Sequence, residues 1–246
     1  MIMKIIVTSD LTIFGELRKL GQSRGFNVEK FIALNIKENR DTSEDDLTYI
    51  ETANNVIFQS KNAVRYSKNL HKGLQKNKKA KIYCLGKYTK IELQKIFNNK
   101  IVHPDSKYSS ESLLELIAKE NINKENFMII KGEGGRDYLE NNLRDLGCNV
   151  KTVNTYRRVA KDSFLEEKVL AVNTNNYLLV SSKLALVELI KTIMSFAKNY
   201  NLILVAPNKR LSEGLNVNAF KDILIICNSS SADSYMNILE KHNEKK

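Results

Sequence analysis

The chain has 246 residues, 42% of them hydrophobic, and 39 Lys and Arg stand against 28 Asp and Glu for a formal charge of +11. That length allows one large domain or two smaller ones with a sizeable core, and only 2 Pro and 10 Gly argue against a long flexible linker. No run of 18 apolar residues occurs, which excludes a membrane-spanning helix, and the opening MIMKIIVTSD turns polar too early for a signal peptide.

Cys84, Cys148 and Cys227 are isolated, with no C-x-x-C. They read as buried free thiols of a cytoplasmic protein rather than disulfides or metal ligands. His71, His103 and His242 share no metal-ligand spacing. The charge suggests a polyanionic partner, nucleic acid being the default candidate. A Lys- and Asn-rich composition with no function would produce the same charge. The densest cluster, KNKKAK at 76–81, falls in a loop, and no basic helix carries interleaved aromatics. Nucleic acid is therefore not the expected partner.

Short apolar runs alternate with helical periodicity along the chain. Strands are predicted at 4–8, 31–36, 56–58, 81–85 and 101–103, then at 127–131, 150–158, 177–180, 202–205 and 223–227. Helices are predicted at 14–24, 63–75, 91–97, 111–119, 184–197 and 232–242. Such alternation argues for α/β units with mostly parallel sheets. An internal repeat sharpens this. VIFQSKNAV at 56–64 matches LLVSSKLAL at 178–186, pairing Ser60 with Ser182, Lys61 with Lys183 and Ala63 with Ala185. Each copy is a strand running into a serine-capped helix, so two similar domains are expected.

The most informative stretch is KGEGGRDYLENNLRDLGCNVKTVNTYRR at 131–158. It reads as the end of a strand, a glycine turn, a helix and a second strand. Arg136 is expected to open the helix, with Leu139, Leu143 and Leu146 on its apolar stripe and Gly147 at C′. A glycine turn before a helix N-terminus presents free N–H groups to an anion. GEGG is neither G-x-G-x-x-G nor a phosphate loop, since no G-K-[ST] follows. A plain βα turn would also explain the glycines.

The whole string, G-x-G-G-R, then L-x-x-x-L-x-x-x-G, then Y-R-R, closely resembles the uroporphyrinogen-III synthase family. The resemblance extends over nearly the full chain. Thr8 stands in a V-x-T-R-like strand end, with Ser9 in the Arg place. Ser60, Ala63 and Val64 fit F-T-S-P-x-A-V, and Gly86 and Thr89 fit V-G-x-x-T. Ser182 fits a second serine block. In the last turn Pro207 fits G-P-x-T while Lys209 takes the Thr place.

The resemblance implies two similar α/β domains of parallel sheets flanked by helices, discontinuous in sequence and joined by a two-stranded β linker. The expected domains are 1–36 with 162–246, and 40–158, with crossings at 36–40 and 156–161. It implies a cofactor-free enzyme of heme and siroheme biosynthesis, with a site in a cleft between domains. Hydroxymethylbilane would be dehydrated and closed to uroporphyrinogen III with inversion of ring D. A basic site would suit the carboxylates of that substrate, a third reading of the charge. Hydroxymethylbilane synthase is a candidate donor of the substrate, and a monomer is expected.

Tyr156 is the catalytic candidate the resemblance points to, as a proton donor or hydrogen-bonding guide to the leaving hydroxyl. Core filling is its other reading. Thr8, Ser60, Gly86, Thr89, Gly134, Arg136, Ser182 and Lys209 are the substrate-binding candidates. Ser60 and Ser182 are equally read as N-caps, and Arg136 as an ion-pair partner that pins its own turn. Helix N-termini are expected at Ser60, Thr89, Arg136, Ser182 and Lys209, each adding partial positive charge. A catalytically inactive, ligand-binding relative and a basic nucleic-acid-binding α/β protein remain the alternative readings.

Overall fold

Parallel strands covered by helices on both faces read as unbroken apolar runs, and the central strands of this chain do so. The structure is a computed structural model that describes residues 2–9, 11, 13–39, 42–161, 164–226 and 231–244. In chain order, β1 (Met3–Val7), α1 (Phe14–Ser23), β2 (Phe26–Lys30) and β3 (Leu34–Glu38) come first. Next are α2 (Glu44–Thr52), β4 (Asn55–Phe58), α3 (Lys61–Arg65), α4 (Lys68–Lys76), β5 (Lys81–Cys84), α5 (Lys87–Gln94) and β6 (Ile101–Val102). Then follow α6 (Ser110–Ile117), β7 (Asn126–Gly132), α7 (Tyr138–Asp145) and β8 (Asn149–Ala160). The chain finishes with β9 (Asn175–Leu179), α8 (Lys183–Ile193), β10 (Asn201–Ala206), β11 (Asp222–Ile225) and α9 (Ala232–Glu244).

The chain divides into two compact units, Met1–Asn35 with Val159–Lys246, and Ile36–Arg158. In the first, the strands lie in the order β11-β10-β9-β1-β2, all parallel. In the second, β6-β5-β4-β7-β8 are parallel, and β3 joins the edge beside β8. β3 runs antiparallel to β8: Asn39 N–H donates to the Thr155 carbonyl (2.9 Å), and Lys161 N–H to the Ala33 carbonyl (2.9 Å). The chain passes between the units in these two strands.

Set β9 against β4 and the two sheet orders coincide, each a 3-2-1-4-5 doubly wound arrangement. The sheets differ in where the chain starts and in the antiparallel edge strand β3 that the second one adds. The second unit is inserted into the first, so β1–α1–β2 of the first unit precedes the insertion and β9 to α9 follow it. Each sheet buries both faces. Ile5, Val7, Tyr177 and Leu179 pack with Leu17 of α1 and Met236 and Leu239 of α9. Their neighbours Ile6, Leu178 and Val180 pack with Leu186 and Leu189 of α8. In the second unit Val56, Phe58 and Met128 face α2 to α5, while Ile57, Phe127 and Ile129 face Leu113 of α6 and Leu139 and Leu143 of α7.

Several local expectations change. The strand predicted at 31–36 is instead β2 ending at Lys30 and β3 starting at Leu34. β2 pairs parallel with β1 and buries Phe26 and Val28. Helix α2 has no counterpart among the predicted elements, although Ser43 and Asp46 form a reciprocal capping box at its start. The helix predicted at 63–75 is two helices. Buried Ser67 sits at the break, donating its hydroxyl to the Val64 carbonyl (3.2 Å). The end of the strand predicted at 223–227, with Cys227, lies outside the described residues, as does Arg40 at the end of the first crossing.

Helix α7 starts at Tyr138, not at Arg136, because the glycine turn runs on to Asp137 at the N-cap. Leu139 and Leu143 are fully buried, but Leu146 is the C-cap and is exposed. Gly147 takes the C′ position with φ +81°. Its N–H donates to the Arg144 carbonyl (2.9 Å) and Cys148 N–H to that of Leu143 (3.0 Å), a Schellman motif. A Cβ on Gly147 would also lie 2.6 Å from Asn123 Oδ1. Gly147→Ala should therefore lower stability by about 1–2 kcal/mol, read as a lower urea midpoint with an unchanged slope; a parental midpoint would show that this helix end relaxes freely.

Candidate functional site

In a doubly wound sheet, helices leave neighbouring strands toward opposite faces at one point, and a crevice opens there at the strands' carboxyl ends. In the Ile36–Arg158 unit that point lies between β4, followed by α3, and β7, followed by α7. The sequence places Gln59-Ser60 after one strand and Gly132-Glu133-Gly134-Gly135 at the end of the other.

Ser60 is extended (φ −161°, ψ 163°) and caps α3, its Oγ accepting the Ala63 N–H at 3.0 Å. The same oxygen lies 3.0 Å from the Tyr156 hydroxyl. Tyr156 stands on β8, opposite Gly132, where the register shifts between Lys131 and Gly132. A Cβ at Gly132 would lie 2.4–2.8 Å from the Tyr156 ring, so only glycine admits that ring. The ring is 2% exposed and joins the core cluster. Arg158 Nη2 donates to the Tyr156 hydroxyl (3.2 Å), and its guanidinium sits 5.3 Å from the ring centroid. Tyr66 packs 6.0 Å away. The ring fills core, and the hydroxyl is held in a polar set with Ser60 and Arg158.

The glycine turn is anchored on all sides. Glu133 N–H donates to the Tyr156 carbonyl (2.8 Å), and Gly134 takes φ +71°. Lys131, absent from the sequence-based candidates, has a side chain only 6% exposed and is paired with Asp137. Arg136 is held by both Glu111 oxygens, at 2.7 and 3.3 Å. The guanidinium's hydrogen bonds hold the Glu111 carboxyl down at about 2. The ion-pair reading of Arg136 thus describes its geometry. Arg136 precedes the helix, so the helix N-terminus expected there belongs to Asp137 and Tyr138.

Gly86 caps α5, and its carbonyl accepts Thr89 N–H (3.0 Å) and Lys90 N–H (3.1 Å). Its backbone is extended, a conformation any residue adopts. A Cβ there would lie 3.1–3.3 Å from the Tyr108 side chain, which would have to give by a few tenths of an ångström. Thr89 is buried in the first turn of α5. Burial pushes the Cys84 thiol before this turn up to about 11 and raises that of Cys148. Both are buried free cysteines.

The other unit has its own switch point, between β9 and β1. Ser182 repeats the cap of Ser60, its Oγ accepting Ala185 N–H at 3.2 Å from an extended backbone. Ser181 donates to Ser9 Oγ (2.8 Å). Thr8 is buried and its hydroxyl donates to the Leu179 carbonyl (2.9 Å), so it ties β1 to β9. Lys209 is exposed and begins a 3₁₀ turn of three residues, Lys209–Leu211. The helix N-terminus expected at Lys209 is thus a single tight turn, with no α-helical dipole behind it. Among the described residues no cluster of three His, Cys, Asp or Glu could hold a metal, and no helix is long and apolar enough to cross a membrane.

This fold defines a two-domain α/β protein of the doubly wound class. A family model described as Uroporphyrinogen-III synthase HemD matches residues 15–234. The chain belongs to the uroporphyrinogen-III synthase family. Uroporphyrinogen-III synthase of Proteus mirabilis is 30% identical over 126 residues, 50% of this chain and 63% of that protein. The Salmonella typhimurium enzyme is 29% identical over 156 residues, 61% of each. The chain thus spans less than two thirds of the length of these curated relatives. A mutant uroporphyrinogen III synthase of the extremely thermophilic bacterium Thermus thermophilus superposes with a TM-score of 0.60 at 14% identity, covering 99% of this chain and 100% of that one. Uroporphyrinogen-III synthetase of Helicobacter pylori gives 0.53 at 16% identity, covering all of both chains. At such identities these two structures show the shared fold.

The Glu111–Arg136 pair gives a pH prediction. Its carboxyl is held below its ordinary 4.5, so the pair's stabilisation is present above that pH and is lost as pH falls toward about 2. Glu111→Gln should destabilise the protein modestly at pH 7, because the pair is largely exposed, and not at pH 2. Equal effects at both pH values, measured by urea unfolding, would reject the pair as the cause.

Proposed function

We propose that this protein converts hydroxymethylbilane to uroporphyrinogen III. The family match over residues 15–234 carries this reading. The reaction expels the terminal hydroxyl as water to leave an azafulvene, then closes the ring with ring D inverted. Uncatalysed closure uses the free α-carbon of ring D and gives the type I isomer. The enzyme's work is therefore mainly conformational: it holds a flexible chain so that the substituted α-carbon attacks.

In this reading Tyr156 supplies the proton for the departing hydroxyl, supported by a phenol held between Ser60 and Arg158 at strand ends. Ser60, Gly86, Thr89, Gly134, Ser182 and Lys209 form weak contacts with the substrate's carboxylates and pyrroles. Arg136 and Thr8 serve mainly by holding the glycine turn and the end of β1 in shape. An excess of 39 basic over 28 acidic residues suits a polycarboxylate. The protein works as a cytoplasmic monomer without a cofactor, taking its substrate from hydroxymethylbilane synthase.

Freshly generated hydroxymethylbilane incubated with the purified protein should give isomer III as the dominant product. Isomer I alone, as in buffer, would reject the enzymatic reading. Tyr156→Phe keeps the ring against Gly132 and removes the donor. Turnover should fall about tenfold to a hundredfold, the low end of general-acid assistance because the pyrrole nitrogen already drives the hydroxyl out. Parental turnover at an unchanged melting temperature would leave Tyr156 a structural residue.

A further inference from the structure

The hydroxyl group nearest the substrate is not settled by naming Tyr156. Its ring is 2% exposed, whereas Ser60 is half-buried at the very end of the β4 turn. The hydrogen-bond inventory around the pair limits where each proton points. A guanidinium only donates, so the 3.2 Å contact from Arg158 occupies an acceptor site on the phenol oxygen. Ser60 Oγ accepts the Ala63 N–H with one lone pair and has a second for the phenol at 3.0 Å. Either hydroxyl can donate across that contact; in the arrangement proposed below the Tyr156 proton lies toward Ser60. In that arrangement both lone pairs of Ser60 Oγ are engaged, and its own O–H is left to point elsewhere.

We propose that Tyr156 acts through Ser60: Ser60 is the catalytic hydroxyl that touches the substrate, and Tyr156 and Arg158 are positioning residues behind it. This rests on the synthase reading above. As the bilane C–O bond breaks, its electron pair stays on oxygen and the Ser60 proton moves to that oxygen, so water leaves. The Tyr156 proton moves to Ser60 Oγ. The phenolate so formed lies beside the Arg158 guanidinium, which is already in hydrogen-bonding contact with it. Ring closure later releases one proton from the free α-carbon of ring D, and that proton returns through Ser60 to Tyr156. The cycle ends with each group as it began and one water released.

The protein carries its own control. Ser43 caps α2 as Ser60 caps α3, its hydroxyl oxygen accepting the Asp46 N–H, but has no phenol partner among the described residues. A serine that mattered only as a cap would behave alike in both places.

The experiment compares kcat, KM and isomer ratio for Tyr156→Phe, Ser60→Ala, the double variant, Ser60→Thr and Ser43→Ala. Circular dichroism and melting temperatures check folding. A relay predicts that Ser60→Ala and Tyr156→Phe each lower kcat about tenfold to a hundredfold, and that the double variant falls no further than the worse single one. Ser60→Thr, which keeps both cap and hydroxyl, should restore most of kcat. Ser43→Ala should lower the melting temperature by removing a cap, with kcat nearly unchanged. If Ser60→Ala does not fold, Ser60→Asp replaces it, since a carboxylate still accepts the Ala63 N–H but has no proton to give. Losses that multiply in the double variant, or a Ser60→Ala protein with parental kcat, would overturn the relay and leave Tyr156 touching substrate directly. A parent protein that makes only isomer I removes the synthase reading and the relay with it, and is seen before any variant is made.

Discussion

The approach of the Tyr156 ring to the backbone of Gly132 is the contact on which the rest of the site depends. A single Cβ at Gly132 would lie 2.4 Å from the ring, which no small adjustment of a rigid aromatic can absorb. The missing side chain lets the register shift between β7 and β8, and the shift sets the phenol over the end of the sheet. From there its hydroxyl meets Ser60 of the β4 turn and Arg158 of its own strand. The carbonyl of the same residue fixes the glycine turn through Glu133 N–H. One close contact thus ties three strand ends into one polar set. Removing the phenol's hydroxyl alone leaves the packing intact, which is why packing and chemistry are separable at this residue.

Charge around the glycine turn is placed to stiffen it. Lys131 is buried beneath the turn and paired with Asp137, and a buried ammonium without a partner would be strongly destabilising. Arg136 is held outside by Glu111. The turn is therefore clamped from both sides by pairs of different kinds. Separating the first pair would leave the buried Lys131 ammonium without its exposed partner Asp137, whereas the exposed pair contributes little to stability but fixes a direction. A turn stiffened in this way can hold its backbone N–H groups in one arrangement without ligand.

The two domains repeat one plan in permuted order, and this accounts for the internal repeat at Ser60 and Ser182. Both serines are extended N-caps after the strand numbered first in a 3-2-1-4-5 sheet. Their local chemistry is the same because the βα turn demands it. Their surroundings differ because only the second domain supplies a tyrosine from the next-but-one strand. Similar local sequence thus led to equal caps, while the long-range neighbours gave one of them a polar set of its own.

The sequence by itself determined the alternation of strands and helices, the serine caps and the C′ glycine at Gly147, because each rests on residues within a few positions of one another. The string from Gly132 to Arg158 was long enough to carry a family resemblance, and the family match over 15–234 agrees with it. Helix α2 was legible too, since Ser43 and Asp46 spell a capping box, but no apolar run drew attention to it. Other features were not legible. Nothing local says that Lys131 is buried, that Arg136 faces Glu111 25 residues away, or that Tyr156 meets Ser60 across 96 residues. Nor does local pattern place Leu146 outside the core, since the helix ends one residue too early to bury it. Those facts belong to strand order and register, which long-range pairing of β4, β7 and β8 decided, because a side chain's partners at a strand end come from neighbours in space and not in sequence.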